Sequence, residues 1–589
     1  MSLLQDLTLA NLVVDALLFY ALYFISRLFF PPFTSGSPFR DIPGPPPTSW
    51  FMGNLGQLFN SKGLPFHQEL VDRFGGMVKV YGFFGDEQLY ISDPRALHSI
   101  ISKDQDAFEE TAVFIETNKV IFGPGLVATT GEQHKRQRKL VNPIFSTLQL
   151  RRLVPIFYEI AEKLSNVLTE EVRAHRTDGK KNVLDMSEWM CRVALESVGQ
   201  TVLGYSFDPL DSPHNNPYTS AIKELIPTIF SLSLVRQFAP FLSKLGPPSF
   251  RRKLVEWTPN VAVQKVKRMS DEMHHTAQVI LRRKREDIAN EGLSYDYEEG
   301  NDVISVLLRA NDNANEADKL SDIELTGQMT VLIFGAQDTT SSALSRILHL
   351  LSVNPEVQSK LRDEIEFALK NRRHEDSDGR LDYDTAMALP WLDAVLKETL
   401  RLRVFISFSP TLSTLLIIFN RYPPVPFVRR TAVKERTIPY SEPADLASGH
   451  SQPRVSCVTI PVGTTVFVGI AGSNSLESVW GPDAKEWKPE RWLPTGDAAH
   501  HGVRLPGIYS GMMSFLGGGR SCIGYKFAQI EMKIILITLL SKFKFSPTEN
   551  EIIWNLSQII SPSVKGPDGS ESEQKGLPLV VEIIEKAGF

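Results

Sequence analysis

A ten-residue run, Phe515-Leu516-Gly517-Gly518-Gly519-Arg520-Ser521-Cys522-Ile523-Gly524, leads straight into the apolar helical stretch Tyr525–Phe543. It sets a thiol at a helix N-terminus, beside an arginine, among glycines. The free N–H groups and positive dipole end of a helix favour a thiolate there. Glycines permit turns with positive φ and let a flat object come close to the backbone. A thiolate that accepts N–H hydrogen bonds is a soft metal ligand whose electron donation those bonds tune. Taken alone, the run reads equally as a glycine-rich turn with a buried structural cysteine. Composition sharpens the question, because the 589 residues include three cysteines, Cys191, Cys457 and Cys522. That number is odd and sparse for a disulfide framework and points to a reducing compartment. A net charge of −5 argues against an electrostatic nucleic-acid binder. With 42% hydrophobic and 22% charged side chains, disordered and collagen-like classes are excluded.

Helical spacing dominates from about Asp104 to Leu402, most clearly over Leu153–Ala174, Met186–Leu203, His274–Ala289 and Leu320–Val353. Residues 75–95 alternate apolar and polar around Gly82 and Gly85, and Val458–Val468 reads as short extended pieces about a Pro-Val-Gly turn. A last helix is expected over Cys522–Phe543. The fold class is therefore mainly α with a minor β portion.

The spacing Phe-x-x-Gly-x-Arg-x-Cys-x-Gly resembles the haem-binding signature of the cytochrome P-450 family at Phe515, Gly518, Arg520, Cys522 and Gly524. The resemblance implies the cytochrome P-450 fold and haem b, an iron protoporphyrin IX with the Cys522 thiolate as axial metal ligand. Cys191 and Cys457 lack such a setting and are expected to be packed thiols. Glu398 and Arg401 lie three apart on a helix starting near Pro390, so they share a face. Such a pair is usually a solvated one. With Arg491 of Pro489-Glu490-Arg491-Trp492 it resembles the family's buried structural network. In Phe334-Gly335-Ala336-Gln337-Asp338-Thr339-Thr340, small residues precede an acid and a hydroxyl inside a long apolar helix. A kink or a tight packing site would explain that, with Ser/Thr back-bonding loosening the helix. The resemblance implies an oxygen-binding groove with a proton-relay role for Asp338 and Thr339. The order Gly335-Ala336 departs mildly from the usual one. His134 and Arg138, one turn apart in a base-rich helix, match the family's propionate-gripping positions, with Arg430 and Arg520 as further candidates. The remaining bases Lys135, Arg136, Lys139, Lys526 and Lys533 are expected to form a surface patch for an acidic reductase.

At the other end, Leu7–Phe30 is apolar apart from Asn11, Asp15 and Arg27. It is long enough to cross a bilayer, and the arginines that follow it place the rest on the cytoplasmic side. Residues 1–33 are read as a single-pass membrane anchor, in preference to a buried helix or to a cleaved signal, which would want basic residues before the apolar run; 34–48 are read as a proline-rich hinge, and 49–589 as the catalytic domain. One segment breaks the family pattern. Residues 403–421 (RVFISFSPTLSTLLIIFNR) separate Leu402 from Tyr422-Pro423-Pro424, and their removal restores a family-like join. A structureless apolar loop of this length is suspect. It reads either as a real insertion that dips into the membrane or, preferably, as an unremoved intron translated in frame.

By resemblance the chain is a microsomal, fungal-like monooxygenase. It would insert one oxygen atom from O2 into an apolar terpenoid, sterol, fatty acid or aromatic substrate. NADPH–cytochrome P-450 reductase would supply electrons, with cytochrome b5 as an accessory donor, at the endoplasmic reticulum membrane. The apolar stretch Leu225–Leu245 is expected to help form the substrate's way in. The competing readings are a haem-thiolate isomerase or dehydratase, which needs no external electrons, and an inactive, haem-free product of the misread segment.

Overall fold

Apolar residues at helical spacing build most of the molecule. In the computed structural model, which describes residues 36–174, 182–207, 210–211, 217–290, 302–371, 379–402, 423–441, 454–494, 504–566 and 571–584, the principal helices are α1 (Gly131–Val141), α2 (Thr147–Ala174), α3 (Met186–Val198), α4 (Pro217–Ser231), α5 (Val261–Asn290), α6 (Asp322–Val353), α7 (Pro390–Arg401) and α8 (Tyr525–Leu540). The expected anchor (1–33) and the anomalous segment 403–421 lie outside the described residues. Among the described residues no single helix is long and apolar enough to cross a membrane; one pair, Glu224–Ser231 with Val235–Leu242, passes together but is bent by 71°.

The helix α6 is the axis of the fold. Ser321 and Glu324 close a reciprocal capping box at its start, and it ends before Pro355. At 1.5 Å per residue its 32 residues span about 48 Å. It packs on α3 along one side and carries Leu344, Ile347, Leu348 and Leu351, all buried, into the main core. The helix α8 is apolar nearly all round and lies against α2, with Ile530, Ile534, Leu536 and Leu540 fully buried.

The β portion is minor. Five strands, β1 (Met77–Tyr81), β2 (Glu87–Ile91), β3 (Phe108–Glu110), β4 (Phe427–Ala432) and β5 (Thr465–Gly469), form one sheet in the order β1-β2-β5-β4-β3. The β2–β5 pair is parallel and the others antiparallel. Alternation sends Val78 and Val80 to a small core with Leu55, Leu58, Tyr90 and Phe467, and Met77 to the main one. Among the described residues a hairpin (Arg436–Ser441 with Val455–Ile460) and two three-stranded sheets complete the set. The Pro-rich segment is docked rather than free: Lys79 N–H donates to the Pro43 carbonyl, and Asn54 to that of Pro46.

Candidate functional site

The cysteine loop is held by close backbone packing. Gly518 has φ +62°, and a Cβ there would stand 2.0 Å from the Ile101 carbonyl oxygen; only glycine fits. The Cys522 N–H donates to the Phe515 carbonyl at 2.9 Å, closing the loop. Helix α8 then begins at Tyr525 with Gly524 as its N-cap. The thiol opens into a cavity of about 430 Å³. Opposite the loop's contribution the cavity wall is the middle of α6, including Leu332, Gly335, Ala336 and Thr339. Helix α6 runs unbroken here, contrary to the expected loosening. Its groove comes from small side chains, and Thr339 Oγ1 donates to the Gly335 carbonyl at 2.7 Å within the helix.

His134 and Arg138 line the same cavity from α1, and Arg520 from the loop. Arg138 donates to the Ser521 carbonyl and hydroxyl at 2.9 and 3.0 Å, and Arg520 pairs with Glu109 at 3.0 Å. Burial, with Arg520 and Arg138 close by, pushes the His134 imidazole down to about 3, so it is neutral at physiological pH. Arg430 is not on the wall. It is buried and paired with Glu110 at 2.8 Å, while its Nη2 is buried without a hydrogen-bond partner. Desolvation raises the Cys522 pKa, while a hydrogen bond from the Gly524 N–H and the nearby Arg138 lower it, and the side chain is exposed to the cavity.

A flat, dianionic macrocycle fits these residues. A Cβ at Gly335 would meet nothing within 4 Å, and one at Gly524 only the Phe145 ring at 4.0 Å. The cations Arg138 and Arg520 stand together with His134 on the wall beside Cys522. Cys522 is the one cysteine suited to it. Cys191 is buried against Gln337, whose amide reaches its sulfur at 2.8 Å. Cys457 is exposed on the hairpin, not packed as expected.

The family model described as Cytochrome P450 matches residues 43–411 and 454–566. The chain belongs to the cytochrome P450 family. It is 41% identical to cytochrome P450 monooxygenase 91 of Postia placenta over 92% of this chain and 94% of that protein. It is 37% identical to a ganoderic acid synthetase of Ganoderma lucidum over 90% and 92%, and 34% identical to the monooxygenase eriI of Hericium erinaceus over 90% and 92%. This cytochrome P450 is accordingly a monooxygenase, and the family's cofactor is haem b bound through a cysteine thiolate.

Elsewhere in the cytochrome P450, the structure sorts the remaining expectations. Asp338 and Thr339 are split. Helical neighbours point about 100° apart, and Asp338 faces a separate small chamber where Lys575 reaches its Oδ1 at 3.0 Å. Its Oδ2 is buried without a partner. Glu398, Arg401 and Arg491 do meet. Arg401 clasps both Glu398 oxygens, at 2.8 and 2.6 Å, with neither side chain exposed, so this is no surface pair. The Arg491 Nε stands 3.5 Å from Glu398, and Lys488 N–H and Trp492 Nε1 also donate to that carboxylate. The basic patch is smaller than expected. Lys533 is fully buried, held by Asp393 and the Met387 carbonyl, because α8 is a core helix. Arg136 is committed to Glu324, while Lys135 and Lys139 stay exposed but paired with Glu132 and Asp318. Sequence reasoning missed Arg236, Arg429 and Gln558, which come from three distant segments to line the cavity. A lone arginine in the apolar stretch Leu225–Leu245 was the available signal.

Proposed function

We propose that this chain is a haem-thiolate monooxygenase of secondary or xenobiotic metabolism acting on apolar organic substrates, terpenoid, sterol, fatty acid or aromatic. The observation that carries this is the Cys522 thiol opening into a largely apolar cavity that faces Gly335 and Thr339 and has cations on the wall beside the cysteine. Cys522 serves as the axial ligand, and Phe515, Gly518 and Gly524 shape its loop. His134, Arg138 and Arg520, on the wall, hold the propionates, and Arg430 joins them only by leaving Glu110. When bound, the haem supplies the chemistry that activates dioxygen and oxidises the substrate. Thr339 Oγ1, on the cavity wall, passes the proton into the site. Asp338 lies behind it, ion-paired with Lys575, and must turn from that lysine to relay a proton to Thr339.

The stretch Leu225–Leu245 supports its role as the way in. Phe230, Ser233, Arg236 and Gln237 line the cavity, while Val235, Phe238, Phe241 and Leu242 are exposed. With Trp50, Phe51 and Phe250 also exposed, that outer face suits a membrane surface. Residues 1–33 anchor the chain in the endoplasmic reticulum membrane, 34–48 form the hinge and 49–589 the cytoplasmic catalytic domain. Residues 403–421 are a retained intron. NADPH–cytochrome P-450 reductase docks near Lys135, Lys139 and Lys526, and cytochrome b5 is an accessory donor.

The test is turnover in isotopically labelled dioxygen with NADPH and reductase, using a panel of apolar substrates. One labelled oxygen per product, dependent on NADPH, is expected. Product formed without label and without NADPH would replace this reading with an isomerase or dehydratase.

A further inference from the structure

Two guanidinium groups line the cavity with no acid to answer them. Arg236 enters from the turn Val235–Phe238 that follows α4, and Arg429 from β4. Arg429 Nη1 donates to Gln237 Oε1 at 3.0 Å, and its guanidinium lies over the Phe59 and Phe467 rings at 5.1 and 5.9 Å. Arg236 Nη1 reaches Gln558 Oε1 at 3.4 Å, and its Nε is buried without a hydrogen-bond partner. Amide oxygens are therefore their side-chain acceptors, and among the described residues no carboxylate pairs with either. The one acid on this part of the wall, Glu110, is committed to Arg430. Burial lowers both arginines to about 10, with Arg236 adding to the effect on Arg429, so both remain charged at neutral pH. Their partners differ from those of the cations beside Cys522: Arg429 rests on Gln237 and Arg236 on Gln558, whereas Arg138 is held by Ser521 and Arg520 by Glu109.

Unpaired buried charges are costly. A planar, bidentate acceptor on the ligand would satisfy both forks. We propose that Arg236 and Arg429, braced by Gln237 and Gln558, form an anion subsite that takes the carboxylate of an otherwise apolar substrate. The inference rests on the haem-thiolate reading of the cavity and narrows its substrate class to amphipathic monocarboxylic acids. Held by one end, such a substrate presents its apolar skeleton to the wall that carries Thr339 and Cys522. The two arginines act as specificity-determining residues.

The test is equilibrium binding of the holoenzyme to matched probes: palmitic acid against palmityl alcohol, and abietic acid against abietinol. A charged hydrogen-bonded contact corresponds to a preference of roughly tenfold or more for the acid. That ratio is expected in the native protein and should fall towards one in Arg236→Gln/Arg429→Gln, with Arg429→Lys intermediate. Equal affinity for acid and alcohol, failure of the native holoenzyme to bind either pair, or a preference that survives in the double variant would each overturn the proposal. So would loss of haem from the double variant, which would assign the arginines to the propionates. The thiolate-type Soret band of the native protein with carbon monoxide reports separately on the haem-thiolate reading.

Discussion

Glu398→Gln keeps the shape of a side chain at the centre of a buried charge network and removes its charge. The native carboxylate accepts from Arg401 Nε at 2.8 Å, Arg401 Nη2 at 2.6 Å, Lys488 N at 3.0 Å and Trp492 Nε1 at 2.8 Å. Two donors point at each oxygen. Whichever way a glutamine amide turns, its NH2 therefore faces two N–H groups and can accept from neither. Arg401 is also left buried without its counter-charge, and burial already depresses its pKa. Removing one partner from a buried pair costs roughly 3–5 kcal/mol, a large share of a total stability of about 5–15 kcal/mol. Urea denaturation followed by far-ultraviolet circular dichroism should show a loss of that size. In a cycle with Arg401→Gln, the double variant should lose much less than the sum of the singles, because the second change removes the orphaned charge. A loss below about 1 kcal/mol for Glu398→Gln, or additivity within about 0.5 kcal/mol, would refute the reasoning.

Three further outcomes are expected. Gly518→Ala should cost roughly 1–3 kcal/mol from its left-handed backbone alone, more from the contact with the Ile101 carbonyl, and should lower haem retention, read as the Soret-to-protein absorbance ratio. Asp338→Asn should destabilise the fold by leaving Lys575 uncompensated and should slow turnover; Asp338→Asn/Lys575→Met should regain most of the urea midpoint without regaining turnover. Glu531 is fully buried, and desolvation holds its carboxyl well above the ordinary range despite the nearby Ser197 and Thr340 hydroxyls. A group with a raised folded pKa contributes its stability below the unfolded pKa and loses it as pH rises towards the folded one. Denaturation from pH 4 to 8 should therefore show Glu531→Gln with a flatter profile than the native protein, and an identical slope would count against a neutral buried acid.

Short-range spacing made much of this molecule legible. The cysteine loop, the i,i+4 pair His134/Arg138 and the i,i+3 pair Glu398/Arg401 are local patterns, and the helices they lie on came out within a few residues at the ends that matter. What was not legible depended on depth and on distant partners. Lys533 reads as a surface base, but its helix is buried all round and Asp393 receives it. Asp338 is adjacent to Thr339 in sequence, yet one helical step turns it to Lys575, more than two hundred residues away. The Cys522 thiol sits at a helix start as expected, but the cavity it opens into is built from segments that lie far apart in the chain. Arg236, Arg429 and Gln558 come together only because the turn after α4, strand β4 and the segment between Asn555 and Ser561 line one cavity.

The most direct test of the central claim, that Cys522 is the axial ligand of a haem in this cavity, is the carbon-monoxide difference spectrum of the reduced protein. It is recorded for the full chain, for a form lacking residues 403–421, and for that form with Cys522→Ser. The red-shifted Soret band of thiolate ligation is expected in the deletion form and should vanish with Cys522→Ser; its presence or absence in the full chain decides whether the extra segment blocks haem capture. A band that survives Cys522→Ser, or no band in the deletion form, would contradict the claim.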